Sequence, residues 1–280
     1  MLNFLVGDIM EKFSRNSRVV AITKILSENP NKVVSLNVFS ELLNAAKSTV
    51  SEDIVIVREI LEKLSLGKVQ TVAGAAGGIK FIANISEDEK LSFAEDMCNL
   101  LMEKERIIPG NFVYMTDVMY SPEFIKKAGL MLSTFFTNKN IDYVMTVETK
   151  GIPLAYEVAR NLGVELVIVR RDNKVTEGPT VTINYVTGSS GNIQNMCLSK
   201  KSIKRGCNCL YIDDFMRSGG TALGIKDLLK EFDSNLVGMG VLIDDYTVNE
   251  KLVDGYYSIM DFKGVIEGKA EFSISKCLKK

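Results

Sequence analysis

The feature that most narrows what this chain can become is the run Leu210-Tyr211-Ile212-Asp213-Asp214-Phe215-Met216-Arg217-Ser218-Gly219-Gly220-Thr221-Ala222. Three apolar, strand-forming residues lead into two acidic ones, then into a small-residue loop that opens helix-forming sequence. Adjacent carboxylates at the C-terminal end of a buried strand can each accept a hydrogen bond from a sugar hydroxyl. A Ser-Gly-Gly-Thr turn opening a helix points backbone N–H groups at an anion. The segment therefore reads as a cradle for a ribose phosphate, set against the plainer reading of a solvated strand end and a simple turn. Two other glycine-bearing segments fail their motifs. Gly238-Met239-Gly240 lacks the third glycine of a dinucleotide fingerprint, and the stretch from Gly74 to Lys80 has Ile79 where a P-loop needs glycine.

With 280 residues, the chain has room for two domains at roughly 100–200 residues each. Its net charge of −1 advertises no nucleic acid globally, so a DNA-binding surface has to come from local clustering. Residues 1–84 carry +2 and the rest −3, a modest asymmetry of the right sign. There is no histidine, which removes the commonest metal ligand and general base and argues against zinc hydrolases and Ser-His or Cys-His catalysis. Five cysteines without framework spacing fit a reducing compartment. No apolar run approaches the ~18 residues of a membrane span, and Met1-Leu2-Asn3 leads into Asp8 and Glu11, unlike a basic signal-peptide start. A cytoplasmic protein without a membrane partner is expected.

The first 84 residues read as three helices and a hairpin. Val19, Ile22, Ile25 and Leu26 form an apolar stripe stopped by Asn29-Pro30, and a short helix follows over 37–44. Thr49 and Glu52 have capping-box spacing for a third helix whose buried face is Val50, Ile54, Val57, Leu61 and Leu64. That leaves Ser48, Thr49, Ser51, Asp53 and Arg58 facing outward. Strands over 68–72 and 79–82 flank the glycine-rich tip 74–78. This order is that of a winged helix-turn-helix, whose third helix enters the major groove. The candidate DNA contacts are Ser48, Thr49 and Ser51 near bases or phosphates, Lys47, Arg15 and Arg18 on phosphates, and Gly74 and Gly77 of the wing beside the backbone. A helical packing or dimerisation domain with capping serines is the alternative.

A second capping box at Ser86-Glu87-Asp88-Glu89 opens a helix to about Lys104, and a domain boundary is placed near residue 85. Beyond it, strand-like runs at 143–147, 166–169, 180–186, 210–212 and 236–243 alternate with helical ones at 154–162 and 222–232. Such alternation implies an α/β domain with a parallel sheet covered on both faces, and ligands bind at the carboxyl ends of its strands. Two further strand ends are polar or cationic. Thr149-Lys150-Gly151 follows one, and its cation and loop amides suit an anion. Arg170-Arg171-Asp172-Asn173-Lys174 follows the next and begins a polar stretch through Gly188-Ser189-Ser190-Gly191.

The run from Leu210 to Ala222 resembles the phosphoribosyl pyrophosphate (PRPP) motif of type I phosphoribosyltransferases. The run Met145-Thr146-Val147-Glu148-Thr149-Lys150-Gly151-Ile152-Pro153-Leu154-Ala155, the run 169–190 and the wing Ala73-Gly74-Ala75-Ala76-Gly77-Gly78 together resemble the purine operon repressors of Gram-positive bacteria over nearly the whole chain. The resemblance implies a winged helix (1–84) fused to a type I phosphoribosyltransferase-like effector domain (85–280). It implies a homodimeric repressor of purine synthesis and salvage genes, with operator DNA as partner, PRPP as effector, Mg²⁺ arriving with it, and no catalytic cofactor or transferase activity. Guanine alarmones such as ppGpp, or purine nucleotides, would compete at the same site. The PRPP residues so implied are Asp213, Asp214, Phe215, Met216, Arg217, Ser218, Gly219, Gly220, Thr221, Thr149, Lys150, Gly151, Arg171, Lys174 and Tyr185.

Two rival readings stay open at this point. One is an active purine phosphoribosyltransferase with an N-terminal oligomerisation domain. Hypoxanthine-type enzymes place an Asp three positions after the second acidic residue, where this chain has Arg217, and a guanidinium cannot act as a base near neutrality. The other is an RNA-binding attenuator, which would need its basic surface on the transferase-like domain.

Overall fold

The structure is a computed structural model that describes residues 12–173, 176, 178–187 and 193–279. The chain separates into two compact units, residues 1–86 and 87–280.

In the first unit, α1 (Arg15–Glu28) and α2 (Leu36–Leu42) each begin at a serine whose hydroxyl accepts from the helix's first turn, Ser14 from Ser17 N and Ser35 from Val38 N. α3 (Lys47–Lys63) starts two residues before its expected cap. Its N-cap is Ala46, with no side-chain cap bond, so Thr49 and Glu52 form no capping box. β2 (Gly67–Val72) and β3 (Gly78–Ala83) make the expected hairpin, and β1 (Val33–Val34) adds a third antiparallel strand against β3. Ile22, Leu26, Phe39, Val50, Val57 and Phe81 meet in one core.

Three positions on and just after α3 depart from the expected face. Leu64 is exposed, whereas Asp53 is buried at 1% exposure. Arg58, expected outward, donates to Val69 O at 2.9 Å and to Thr71 Oγ1 at 3.2 Å, fastening β2 to the helix.

The second unit is built on a six-stranded sheet of order β13-β12-β11-β10-β6-β7. Its strands are β6 (Tyr143–Val147), β7 (Glu165–Val169), β10 (Asn208–Met216), β11 (Asn235–Asp245), β12 (Tyr257–Ile266) and β13 (Lys269–Ile274). All neighbours pair in parallel except β12 with β13. The crossovers are α7 (Ile152–Leu162) between β6 and β7 and α8 (Gly220–Lys230) between β10 and β11. Every residue of β6 is buried, as a strand covered on both faces requires. On one face Met145, Tyr211 and Val241 share a core with Ile225 and Leu228 of α8. On the other, Phe136, just after α6 (Pro122–Thr134), packs over Gly238 and Gly240.

The run 180–186 does not join the parallel sheet. It is β8 (Thr180–Val186), paired antiparallel with β9 (Ile193–Ser199), and a single bridge from Arg170 to Cys197 links that pair to the end of β7. Gly224 of α8 is needed where this hairpin docks, because a Cβ there would lie 3.1 Å from Tyr185 and 2.9 Å from Met196. α4 (Glu87–Leu101) ends three residues short of Lys104, which begins a 3-10 turn before the small hairpin β4 (Ile107–Ile108) and β5 (Phe112–Val113).

Candidate functional site

At the carboxyl ends of β6, β7 and β10 the chain makes three turns around one opening. β10 delivers Asp213 and Asp214. The Asp213 carboxyl accepts from the Tyr211 hydroxyl through Oδ2 and from Asp214 N at 2.9 Å through Oδ1. Burial first, and the Asp214 charge second, push the Asp213 carboxyl well above the usual carboxylate range. The same burial, followed by the Asp213 charge, raises the Tyr211 hydroxyl.

The turn after β6 approaches so closely that only glycine fits at its end. A Cβ on Gly151 would stand 2.6 Å from Asp213 Oδ1 and 2.7 Å from Thr146 Oγ1. Thr149 and Lys150 are exposed at this turn. Glu148, one residue earlier, ties it to the turn after β7: Oε2 accepts from Arg170 at 3.1 Å and Oε1 accepts from Arg171 N at 2.7 Å. Arg170 is thereby spent on structure, while Arg171 and Asp172 line the opening.

Three adjoining cavities make up the site. One of about 500 Å³ is lined by Thr149, Lys150, Arg171, Asp213, Asp214 and Thr221. A second of about 270 Å³ runs along Arg217, Ser218, Gly219, Gly220 and Thr221 and reaches Tyr185. Gly219 holds φ +86°, a left-handed conformation suited to glycine, and is the N-cap of α8. A third, about 520 Å³, shares Lys150, Asp214, Phe215 and Arg217 and is walled by Phe112, Phe262 and Phe272.

The structure therefore brings the sequence-derived residues of four segments to one place. Met216 is a qualification, since it borders the second cavity but is buried at 3% exposure. Tyr185 is also buried, its hydroxyl donating to Gln194 Oε1 at 2.9 Å. Lys174 and Gly188-Ser189-Ser190-Gly191 lie outside the described residues.

At the end of β11, Asp244 is buried, accepting from Tyr256 OH at 3.0 Å and paired with Lys251 at 2.8 Å, while Asp245 reaches the third cavity. Phe112, Phe262 and Phe272 escaped the sequence reading. The turn at Gly110 and Asn111, both at positive φ, was the signal that a hairpin stood there. Among the described residues no cluster of three or more His, Cys, Asp or Glu could hold a metal. No helix of the described chain is long and apolar enough to cross a membrane.

In the first unit, the N-terminal turn of α3 presents Lys47, Ser48 and Ser51 to solvent, with Thr49 half-buried. Ser51 Oγ donates back to Lys47 O at 2.8 Å. The wing tip closes with Gly77 N donating to Gly74 O at 2.9 Å, and Gly74 sits at φ +112°. Arg18 corrects the sequence reading. Its guanidinium donates to Asp53 through Nε at 2.6 Å and Nη2 at 3.3 Å and to Phe13 O at 2.9 Å, so it braces α1 against α3 and does not reach a phosphate. Arg15 stays 58% exposed at its side chain while lying 3.4 Å from Asp53.

Comparison with known proteins separates the same two parts. Residues 14–83 match the model of the bacterial purine repressor N-terminal domain, and residues 120–270 match that of the phosphoribosyl transferase domain. A purine biosynthesis transcriptional repressor of Bacillus subtilis is 47% identical, over 89% of this chain and 87% of its own. A purine biosynthesis transcriptional activator of Lactococcus lactis is 41% identical, over 88% of this chain and 91% of its own. In fold, adenine phosphoribosyltransferase from Saccharomyces cerevisiae superposes with a TM-score of 0.51 at 23% identity, covering 60% of this chain and 98% of that one. Two full-length relatives of this identity place the chain more narrowly than either domain alone: it belongs to the family of bacterial purine biosynthesis transcription regulators, a winged-helix unit joined to a type I phosphoribosyltransferase fold.

Proposed function

We propose that the chain represses genes of purine synthesis and salvage by binding operator DNA through its first unit, and that PRPP bound to its second unit relieves repression. The regulatory role is supported by the relatives, which are named as regulators. The observation that carries the effector is the convergence of Asp213 and Asp214 with the Ser218–Thr221 turn and Lys150 around adjoining cavities. Two carboxylates suit ribose hydroxyls, the turn suits a 5′-phosphate, and Lys150 with the 149–151 amides suits a pyrophosphate.

Magnesium would come with the pyrophosphate oxygens, held by at most one or two carboxylates. The phenylalanine-walled cavity beside Asp214 has the size and apolar character for a purine ring, which is the basis for competition by guanine alarmones or purine nucleotides. Arg217 stands at its mouth, 3.8 Å from Asp245, where a transferase would gain from a base and finds a permanent cation.

The test is a mobility shift of the full chain on purine-gene upstream DNA, with and without Mg²⁺-PRPP. Release of the DNA by PRPP supports the proposal. Tighter binding would assign the chain the activator's sign, and indifference would remove PRPP as effector.

A further inference from the structure

The segment between β11 and β12 runs along the back of the phosphate loop, and one side chain holds the two together. Lys251 Nζ donates to Arg217 O at 2.5 Å, Asp245 O at 2.7 Å and Met216 O at 3.2 Å, and lies 2.8 Å from Asp244 Oδ1. The next residue continues the contact, with Leu252 N donating to Ser218 O at 2.8 Å. Val253 Cγ2 then fills the space beside Gly219, 2.8 Å from where a Cβ would be.

Three successive carbonyls, those of Met216, Arg217 and Ser218, are thus turned toward one crosspiece. In a trans peptide the C=O and the following N–H point in opposite directions. The N–H groups of Arg217, Ser218 and Gly219 therefore point away from that crosspiece, and these same residues line the Ser218–Thr221 cavity. No side chain caps the start of α8, so the turn has no internal device of that kind to orient these amides. An ammonium group carries three donors and no acceptor, which suits a point where carbonyls converge. The Lys251 side chain is 16% exposed, enough burial to hold it in that one arrangement.

We propose that Lys251 is a positioning residue for the phosphate loop: by gathering the carbonyls of Met216 and Arg217 it presets the loop's N–H groups to face an anion. The proposal rests on the phosphoribosyl reading of the site. A preset cradle binds more tightly because the ligand does not have to order it. Lys251 does not touch the ligand, and the plainer role for it is an ion pair with Asp244 that only stabilises the fold.

Calorimetry on the full chain separates the two with ligand fragments. Ribose 5-phosphate engages the phosphate loop, whereas Mg²⁺-pyrophosphate engages the 149–151 turn, which Lys251 does not contact. Lys251→Met is expected to weaken PRPP and ribose 5-phosphate roughly tenfold or more, the effect of one lost charged hydrogen-bonding group, and to leave pyrophosphate within about twofold. Lys251→Arg, which keeps the cation but splays its donors into a planar fork, is expected to fall between, and carries the test should the Met variant not fold. Tyr256→Phe removes a hydroxyl from Asp244 without touching the loop and is expected to bind all three ligands normally. Wild-type affinity for ribose 5-phosphate in Lys251→Met, or equal losses for both fragments, would overturn the proposal. Wild-type protein that binds neither PRPP nor ribose 5-phosphate would instead sink the phosphoribosyl reading itself.

Discussion

At Asp213 the needs of binding and of stability oppose each other. Its carboxyl is half-buried beside Asp214 and titrates higher in the folded chain than the unfolded value of about 3.9. Its contribution to stability is therefore present below that value and is lost as pH rises through the folded one. Asp213→Asn keeps an oxygen to accept from Tyr211 and removes the charge. It is expected to melt higher than wild type at pH 7.5, by about 2–4 °C for each kcal/mol relieved in a unit of this size, with the gain shrinking toward pH 4. Calorimetric scans across that range check the sign, and PRPP affinity of the same variant should fall. Gly151 presents the converse case. Gly151→Ala puts a methyl group 2.6 Å from Asp213 Oδ1, an overpacking worth about 1–3 kcal/mol, and should lower stability and PRPP affinity together. A variant that kept full affinity would show that the turn after β6 can shift without harm.

At the level of elements, α3 serves two partners with different residues. Lys47 and Ser48 face solvent at its first turn, while Asp53 one turn on is buried under Arg18. Lys47→Ala is expected to weaken all duplexes alike and to flatten the salt dependence of binding by about one unit, as for one lost phosphate contact. Asp53→Ala should lower the melting temperature and operator affinity together and leave the salt slope at its wild-type value. Titrations at several salt concentrations distinguish the two. The same helix shows what sequence can and cannot reveal. Its apolar positions Val50, Ile54, Val57 and Leu61 were legible because helical spacing is local. Asp53 was read as outward because its burial depends on Arg18, 35 residues away. In the second unit, β10, its acidic pair and α8 were legible for the same local reason. The antiparallel pairing of β8 with β9 is a local hairpin whose second strand the sequence pattern did not mark, whereas the aromatic wall needs Phe112 to meet Phe262 and Phe272, far along the chain. The phosphate side of the site lay in contiguous motifs, whereas its apolar side exists only after folding.

Across the whole molecule, the proposed function makes effector and operator linked ligands of one chain. If PRPP weakens operator binding, operator must weaken PRPP by the same factor, and couplings of about 1–3 kcal/mol correspond to roughly 5- to 150-fold. Titrating PRPP into the protein with and without saturating operator, at fixed Mg²⁺ and salt, should return that common factor. Equal affinities would break the link and leave a regulator with another effector. No nucleotide is expected to form from PRPP and guanine, hypoxanthine, xanthine or adenine, and a chromatographic assay that found turnover would make the chain an enzyme. The phosphate loop, finally, has a consequence for inheritance. On the proposed reading its donors are backbone N–H groups, which no codon change to anything but proline can delete. Mutants locked in repression should therefore be rare at the loop's own Ser218 and should recur at Gly219 and Lys251, the positions that shape and brace it. A screen for strains that can no longer switch purine genes on would map the supports of the cradle and not its surface.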